Sequence, residues 1–288
     1  MARSPLPLAA LFAGASCIAL SPIFVRVADV GPSASAFWRV ALAVPVLWLL
    51  VAFAGKGDFS AGKTNSPLLF AAGLAFAGDL AFWHWSIRYT SVANSTLLAN
   101  LASIFVTLAA WLLWRERPTR LFLLGLAAAL AGVALLVRAS LAFSPTALLG
   151  DGLGVVTALF YAWYLISVKG LRDRGTATLA LMAVTTSVTA AILFPLALFS
   201  AGAFVPGSLS GWLKLLGLAW ISHAAGQGLI AFALAHLPAA FSSVGLLLQP
   251  VMAAAFAWAL LSESLAPLQI AGGLVVLAGI YLARKGSA

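Results

Sequence analysis

The chain has 288 residues, of which 63% are hydrophobic and only 8% charged, with a formal net charge of +9. A soluble domain carries about 25% charged residues, so this composition excludes a water-soluble fold and fits a protein embedded in lipid. The positive charge sits between long apolar runs, where it sets orientation instead of binding nucleic acid, and a single cysteine, Cys17, excludes an internal disulfide framework.

Crossing roughly 30 Å of hydrocarbon takes about 20 apolar residues in a helix. Ten such runs are legible, at 6–27, 33–54, 67–88, 92–114, 119–137, 148–168, 177–199, 211–234, 239–261 and 266–283. The first follows MARSPLPL, whose one basic residue is Arg3; it is expected to be kept as a span and not cleaved as a signal. Between the second and third runs, Gly57–Thr64 reads GDFSAGKT and matches the phosphate-binding pattern G-x-x-x-x-G-K-[ST]. That pattern works only where a strand delivers the glycines and a helix receives the phosphates. Here an apolar span precedes it and another follows, so no nucleotide is expected, and Lys56 and Lys63 mark a cytoplasmic loop.

Alternating the runs across the bilayer from an inside N-terminus puts Arg3, Lys56, Lys63, Arg115, Arg117, Arg120, Lys169, Arg172, Arg174, Arg284 and Lys285 on the inner side. Arg26, Arg88, Arg138 and Lys214 remain on the other. This excess predicts cytoplasmic termini for a multi-pass protein of the cell (inner) membrane.

Shifting the chain by 147 residues superposes Trp111 on Trp258, Leu113 on Leu260, Glu116 on Glu263, Leu121 on Leu268, Gly125 on Gly272, Leu130 on Leu277, Ala131 on Ala278, Gly132 on Gly279 and Leu135 on Leu282. Five spans per copy is an odd number, so the second copy enters the membrane from the opposite side. The connections agree: WRERPTR in the first is basic, and its counterpart LSESLAP is not. The predicted fold class is therefore an all-α polytopic membrane protein, with ten helices as two inverted five-helix repeats, residues 1–140 and 141–288, around a central cavity.

The stretch IRYTSVANSTLLANLASIFVTLAAWLLWRER, its partner ALAHLPAAFSSVGLLLQPVMAAAFAWALLSES, and SPIFVRV followed by AFWRVALA resemble the EamA-type repeats of the drug/metabolite transporter superfamily. The resemblance covers essentially the whole chain and implies ten helices, cytoplasmic termini and small-molecule export; within the superfamily the chain is similar to the YddG type of amino-acid exporter. It departs from the family pattern at Ser103, where the usual proline of the fourth span is missing while Pro250 is kept in the ninth. Unequal distortion of these two helices is the expectation that follows.

Ionisable groups inside spans are costly unless paired or wetted. Helix rise places Arg39 about 9 Å and Asp79 about 12 Å from the same membrane surface, so the two are expected to form a buried pair, which either fixes helices or handles substrate or protons. His223 and Gln227, four apart on the eighth span, share a face near midplane; His223 is either hydrogen-bonded between helices or a ligand or proton contact. His84 and Arg88 are expected to be solvated. Trp38, Trp48, Trp111, Trp114, Trp212 and Trp258 lie near span ends and read as interfacial anchors. Trp163 and Tyr164 on the sixth span and Trp83 on the third lie deeper and are candidates for stacking on substrate, against the commoner use in helix packing. Asn94, Ser95, Asn100 and Ser103, with Ser242, Ser243 and Gln249, offer neutral hydrogen bonds to a zwitterion or between helices. Pro22, Pro45, Pro195 and Pro250 free carbonyls inside spans, and Pro22 and Pro250 are the candidate hinges.

No H-E-x-x-H or G-x-S-x-G constellation occurs, and His84, His223 and His236 lack metal spacing with carboxylates, so neither catalysis nor a cofactor is expected. The reading is a secondary transporter exporting small metabolites by alternating access, amino acids including aromatic and hydrophobic ones foremost, with the bilayer and a small molecule as its partners and a monomer as its form. The alternatives are export of a nucleobase, sugar phosphate or amphiphilic drug, and a channel.

Overall fold

The computed structural model describes residues 5–54, 66–90, 92–138, 147–262 and 264–287, with the backbone alone at residues 26, 66, 92, 93 and 261. The Gly57–Thr64 loop, Lys56, Lys63, Arg3 and Glu263 lie outside the described residues. Among those described, ten helices are long and apolar enough to span a membrane: Leu6–Val25, Pro32–Ala54, Pro67–Tyr89, Asn94–Trp114, Arg120–Val137, Ala147–Asp173, Thr178–Leu198, Leu209–Leu234, Ala239–Leu260 and Pro267–Gly286. They are numbered here as the first to tenth spans. The described residues contain no strand. On one face the C-terminal end of the tenth span meets the connection after the fourth, where the Thr119 hydroxyl donates to the Gly286 carbonyl at 2.8 Å; on the opposite face the connection after the first span meets the one after the seventh, where the Gly31 N–H donates to the Ala203 carbonyl at 2.8 Å.

Inversion of the repeat is visible in backbone detail. The fifth and tenth spans cross antiparallel through four glycines. A Cβ on Gly132 would stand 2.7 Å from the Gly272 oxygen, and one on Gly272 would stand 2.8 Å from the Gly132 oxygen. Likewise a Cβ on Gly125 would meet the Gly279 oxygen at 2.6 Å, and one on Gly279 the Gly125 oxygen at 2.7 Å. Since Gly125 corresponds to Gly272 and Gly132 to Gly279, each contact is the other seen through a two-fold axis perpendicular to the helices, as close small-residue packing in lipid allows. The capping geometry repeats too. Arg115 and Ser262, again 147 apart, end the fourth and ninth spans at φ 56°, the two positive-φ non-glycine residues of the described chain. Thr119 and Ala266 start the next spans from extended backbone, and the Thr119 hydroxyl accepts from the Phe122 N–H at 3.1 Å.

Several spans are interrupted. The first breaks at Leu20, the second at Leu42, the fourth at Asn100–Leu101 and the ninth at Leu246–Leu247. Unequal distortion of the fourth and ninth spans, expected from Ser103, does not occur. In the ninth, Pro250 lacks the N–H that would bond the Leu246 carbonyl, and Gln249 takes that carbonyl at 2.9 Å instead. In the fourth, side chains achieve the same result: Ser103 Oγ donates to the Asn100 carbonyl at 2.9 Å, and Asn100 Nδ2 donates to the Thr96 carbonyl at 2.8 Å. These local bonds compete with the helical ladder.

The eighth span departs differently. From Leu218 to Gln227 it is wound with five-residue hydrogen-bond spacing, continuous with α-helix on either side. Such widened turns are rare and recur at functional sites.

Candidate functional site

The breaks converge. Leu20, Asn100 and Leu246–Leu247 flank a cavity of about 800 Å³ of atom-free space, mouth included. Non-helical backbone at membrane depth survives where it lines such a cavity. Seven spans contribute, and the fifth, seventh and tenth do not. Arg39 lies seven residues into the second span and Asp79 ten residues before the end of the third, about 10 Å and 15 Å from the opposite face by helix rise. The cavity therefore occupies the middle and the half toward that face.

Its chemistry is divided between the repeats. The first supplies both charges, Arg39 and Asp79, along with Thr96, Asn100 and the rings of Phe76 and Trp83. The second supplies neutral polar ends, Thr157, Tyr161, Gln227 and Gln249. Several of these have no protein partner: Arg39 Nε, the Tyr161 hydroxyl, Gln227 Oε1 and Gln249 Nε2 are buried without a hydrogen bond. Buried polar atoms in folded proteins are nearly always satisfied. Orphans gathered around one cavity are what a site built for an outside ligand leaves behind.

Of the sequence candidates, Arg39, Asp79, Trp83, Asn100, Gln249, Pro22 and Pro250 all line this cavity. The expected direct ion pair is not formed. Among the described residues, the ion pair within 4.0 Å is Lys169–Asp173, and Arg39 and Asp79 share the cavity instead of a contact. Ionisable side chains in spans face either a partner or an aqueous cavity, and these two do the second. Trp163 is corrected outright: it is 41% exposed on the lipid-facing perimeter and does not line the cavity. The 3.6-residue period that turns Tyr161 inward carries Trp163, two positions on, away from it. Tyr164 is fully buried behind the wall, its ring tilted against Phe76 with centroids 4.7 Å apart.

His223 and Gln227 do not share one environment as their spacing predicted. Gln227 faces the cavity. His223 Nε2 is 2.9 Å from Thr186 Oγ1 on the seventh span, and its ring stacks on Phe76 at 5.3 Å. His84, expected to be solvated, is buried, with Nδ1 2.7 Å from the Leu80 carbonyl and its ring edge-on to Trp83. Trp111 and Trp258, the pair matched by the 147-residue shift, are exposed near span ends. Trp38 is instead tied into an aromatic cluster with Phe37, Phe204 and Trp212, and its Nε1 donates to the Phe204 carbonyl at 2.7 Å.

Phe76, Thr96 and Thr157 were not singled out from sequence. Phe76 is one apolar residue in an apolar span and carries no signal. Thr96 precedes Asn100 by four on a helix, so the i, i+4 rule places both on one face and would have found it.

Ten spans in two inverted copies, with broken helices around a polar cavity near the midplane, define a membrane transporter. The chain belongs to the EamA-like transporter family, whose model matches residues 6–138 and 148–284. It is 29% identical over 272 residues to an uncharacterized transporter of Archaeoglobus fulgidus, covering 90% of this chain and 91% of that one. It is 29% identical to a probable amino-acid metabolite efflux pump of Salmonella typhimurium, covering 82% of each, and 26% identical to a pseudopaline exporter of Pseudomonas aeruginosa, covering 86% and 84%. A solved crystal structure shares the fold at a TM-score of 0.81 and 16% identity, over 98% of this chain and 96% of that one.

Proposed function

We propose that this protein, acting as a single chain in the cell's inner membrane with both termini in the cytoplasm, exports small metabolites by alternating access, foremost amino acids, with aromatic and hydrophobic ones among them. The observation that carries this reading is the cavity wall on which Arg39 and Asp79 both stand without bonding each other, beside Phe76 and Trp83. An α-amino acid carries one charge of each sign on a single carbon and an apolar remainder. Arg39 offers the donor geometry that suits a carboxylate, Asp79 accepts from an ammonium, and the two rings offer stacking surface. Export, and not uptake, is supported by the efflux names of two relatives; the cytoplasmic termini rest on the Lys and Arg excess of that face.

Counterflow in proteoliposomes with radiolabelled leucine, phenylalanine and a nucleobase tests the reading. Saturable exchange of the amino acids is expected, with Arg39→Gln and Asp79→Asn each lowering it by about tenfold or more, the cost of leaving a ligand charge without its counter-charge. Exchange that does not saturate, or that is indifferent to both variants, refutes it.

A further inference from the structure

Resting on the reading of the cavity as an amino-acid site, we infer that its second-repeat wall selects substrates whose side chain ends in a neutral hydrogen-bonding group. The two walls differ in kind. Charge is confined to the first repeat, so a zwitterionic head is held there. Alongside it, the Tyr161 hydroxyl, Gln227 Oε1 and Gln249 Nε2 come from three different spans, the sixth, eighth and ninth; the hydroxyl lies next to both amides, yet none of the three buried atoms completes a hydrogen bond. Gln227 is only 2% exposed, so its amide cannot turn to solvent for satisfaction.

The three ends complement a group that both donates and accepts. Gln227 Oε1 is an acceptor, Gln249 Nε2 a donor and the phenol either. Exchanging O and N in either glutamine still leaves amide donors and acceptors on the same wall. A carboxamide, a phenol or an indole N–H engages this set, whereas a purely hydrocarbon or thioether end leaves the three groups with only one another. Sites that hydrogen-bond a substrate group reject the analogue lacking it far more strongly than an apolar pocket separates two hydrocarbons. Apolar residues between the poles, among them Leu80, Ala99 and Ala253, give the chain of the substrate its passage. Gln227 is the last residue of the widened segment of the eighth span and lines the cavity.

Two near-isosteric pairs test it by counterflow in proteoliposomes: glutamine against methionine, and tyrosine against phenylalanine. The wild type is expected to exchange glutamine and tyrosine at least about tenfold more efficiently than their partners, as the kcat/KM ratio. Gln227→Leu and Gln249→Leu are each expected to shrink that ratio by about fivefold or more, by lowering glutamine and tyrosine exchange more than methionine and phenylalanine exchange. Tyr161→Phe removes a single oxygen and guards against misfolding as the explanation; it is expected to move the ratio in the same direction. Equal exchange within each pair by the wild type, or a uniform fall of all four substrates in all three variants, overturns this inference while leaving amino-acid transport standing. No exchange of any amino acid by the wild type overturns the parent reading and this one with it.

Discussion

Alanine at the fifth–tenth span crossing is the sharpest probe of the inverted architecture. A Cβ on Gly132 would stand 2.6 Å from the Val276 amide nitrogen and 2.7 Å from the Gly272 oxygen, both backbone atoms that cannot swing aside as a side chain would. Ordinary contact begins at 3.4 Å, so the helices must part by about 0.8 Å at that point. A gap of 0.5–1 Å forfeits roughly a quarter to a half of the dispersion energy between the atoms it separates, and overpacking of a close interface costs about 1–3 kcal/mol. Gly279 is the counterpart of Gly132 and meets the Gly125 oxygen at 2.7 Å, so Gly132→Ala and Gly279→Ala are expected to cost the same, within about 0.5 kcal/mol. The double variant Gly132→Ala with Gly272→Ala should cost less than the sum of its parts, because one separation relieves both contacts. Gly152→Ala on the sixth span is the control: a Cβ there meets nothing within 4 Å, and alanine gains about 0.5–1 kcal/mol of helix propensity. Thermal unfolding in detergent, followed by tryptophan fluorescence, reads the difference at roughly 2–4 °C per kcal/mol on the soluble-protein scale. Gly132→Ala melting with the control, or Gly132→Ala and Gly279→Ala differing by more than about 2 kcal/mol, would mean that the crossing is not two-fold.

Ser103→Pro is expected to keep both stability and counterflow, since the fourth span is already interrupted where Pro250 interrupts the ninth; melting and exchange assays check it, and loss of folding would show that the two breaks are not equivalent. Trp163→Ala should leave the KM for exchange unchanged and Trp83→Ala should raise it severalfold, as measured by concentration dependence, because the first side chain faces lipid and the second faces the cavity. Thr186→Val removes the hydrogen bond to buried His223 and should cost about 1–3 kcal/mol in thermal stability. His223→Gln tests proton handling by that residue: exchange measured between pH 5 and 8 should keep its wild-type profile if the imidazole only joins helices, and a flattened profile would assign it a proton role.

Span number, the inverted repeat and the positions of Arg39, Asp79, Asn100 and Gln249 were legible because each leaves a mark against an apolar background. Runs of about 20 apolar residues, a tryptophan, a glutamate and glycines recurring at one offset, and isolated polar side chains all stand out there. Facing direction was harder to read. Trp163 and Tyr161 differ by two positions, yet one points to lipid and the other into the cavity, and in a span hydrophobic all round no moment distinguishes the sides. Backbone irregularity was read only where proline announces it. The break at Asn100 depends on hydrogen bonds from Ser103 and Asn100 that ordinary polar helices also contain, and the widened winding of the eighth span has no compositional signature.

The offset of 147 residues, carried along the whole third and eighth spans, pairs Phe76 with His223, and these two rings stack on each other. The two-fold axis therefore passes between them, beside the cavity, as well as through the glycine crossing. Symmetry is kept where it serves packing: glycine faces glycine, and left-handed cap answers left-handed cap. It is abandoned where ligand chemistry is needed. The same offset sets Asp79 against Gly226, Leu80 against Gln227, Trp83 against Ile230 and Ala102 against Gln249. A scaffold with near-equal halves can exchange their conformations at little cost, which alternating access requires. Under the proposed alternating access, a lining charged on one half and neutral on the other lets two states related in backbone differ in the groups they offer a substrate. Such a difference is the physical means by which a symmetric carrier binds more tightly on one side of the membrane than on the other.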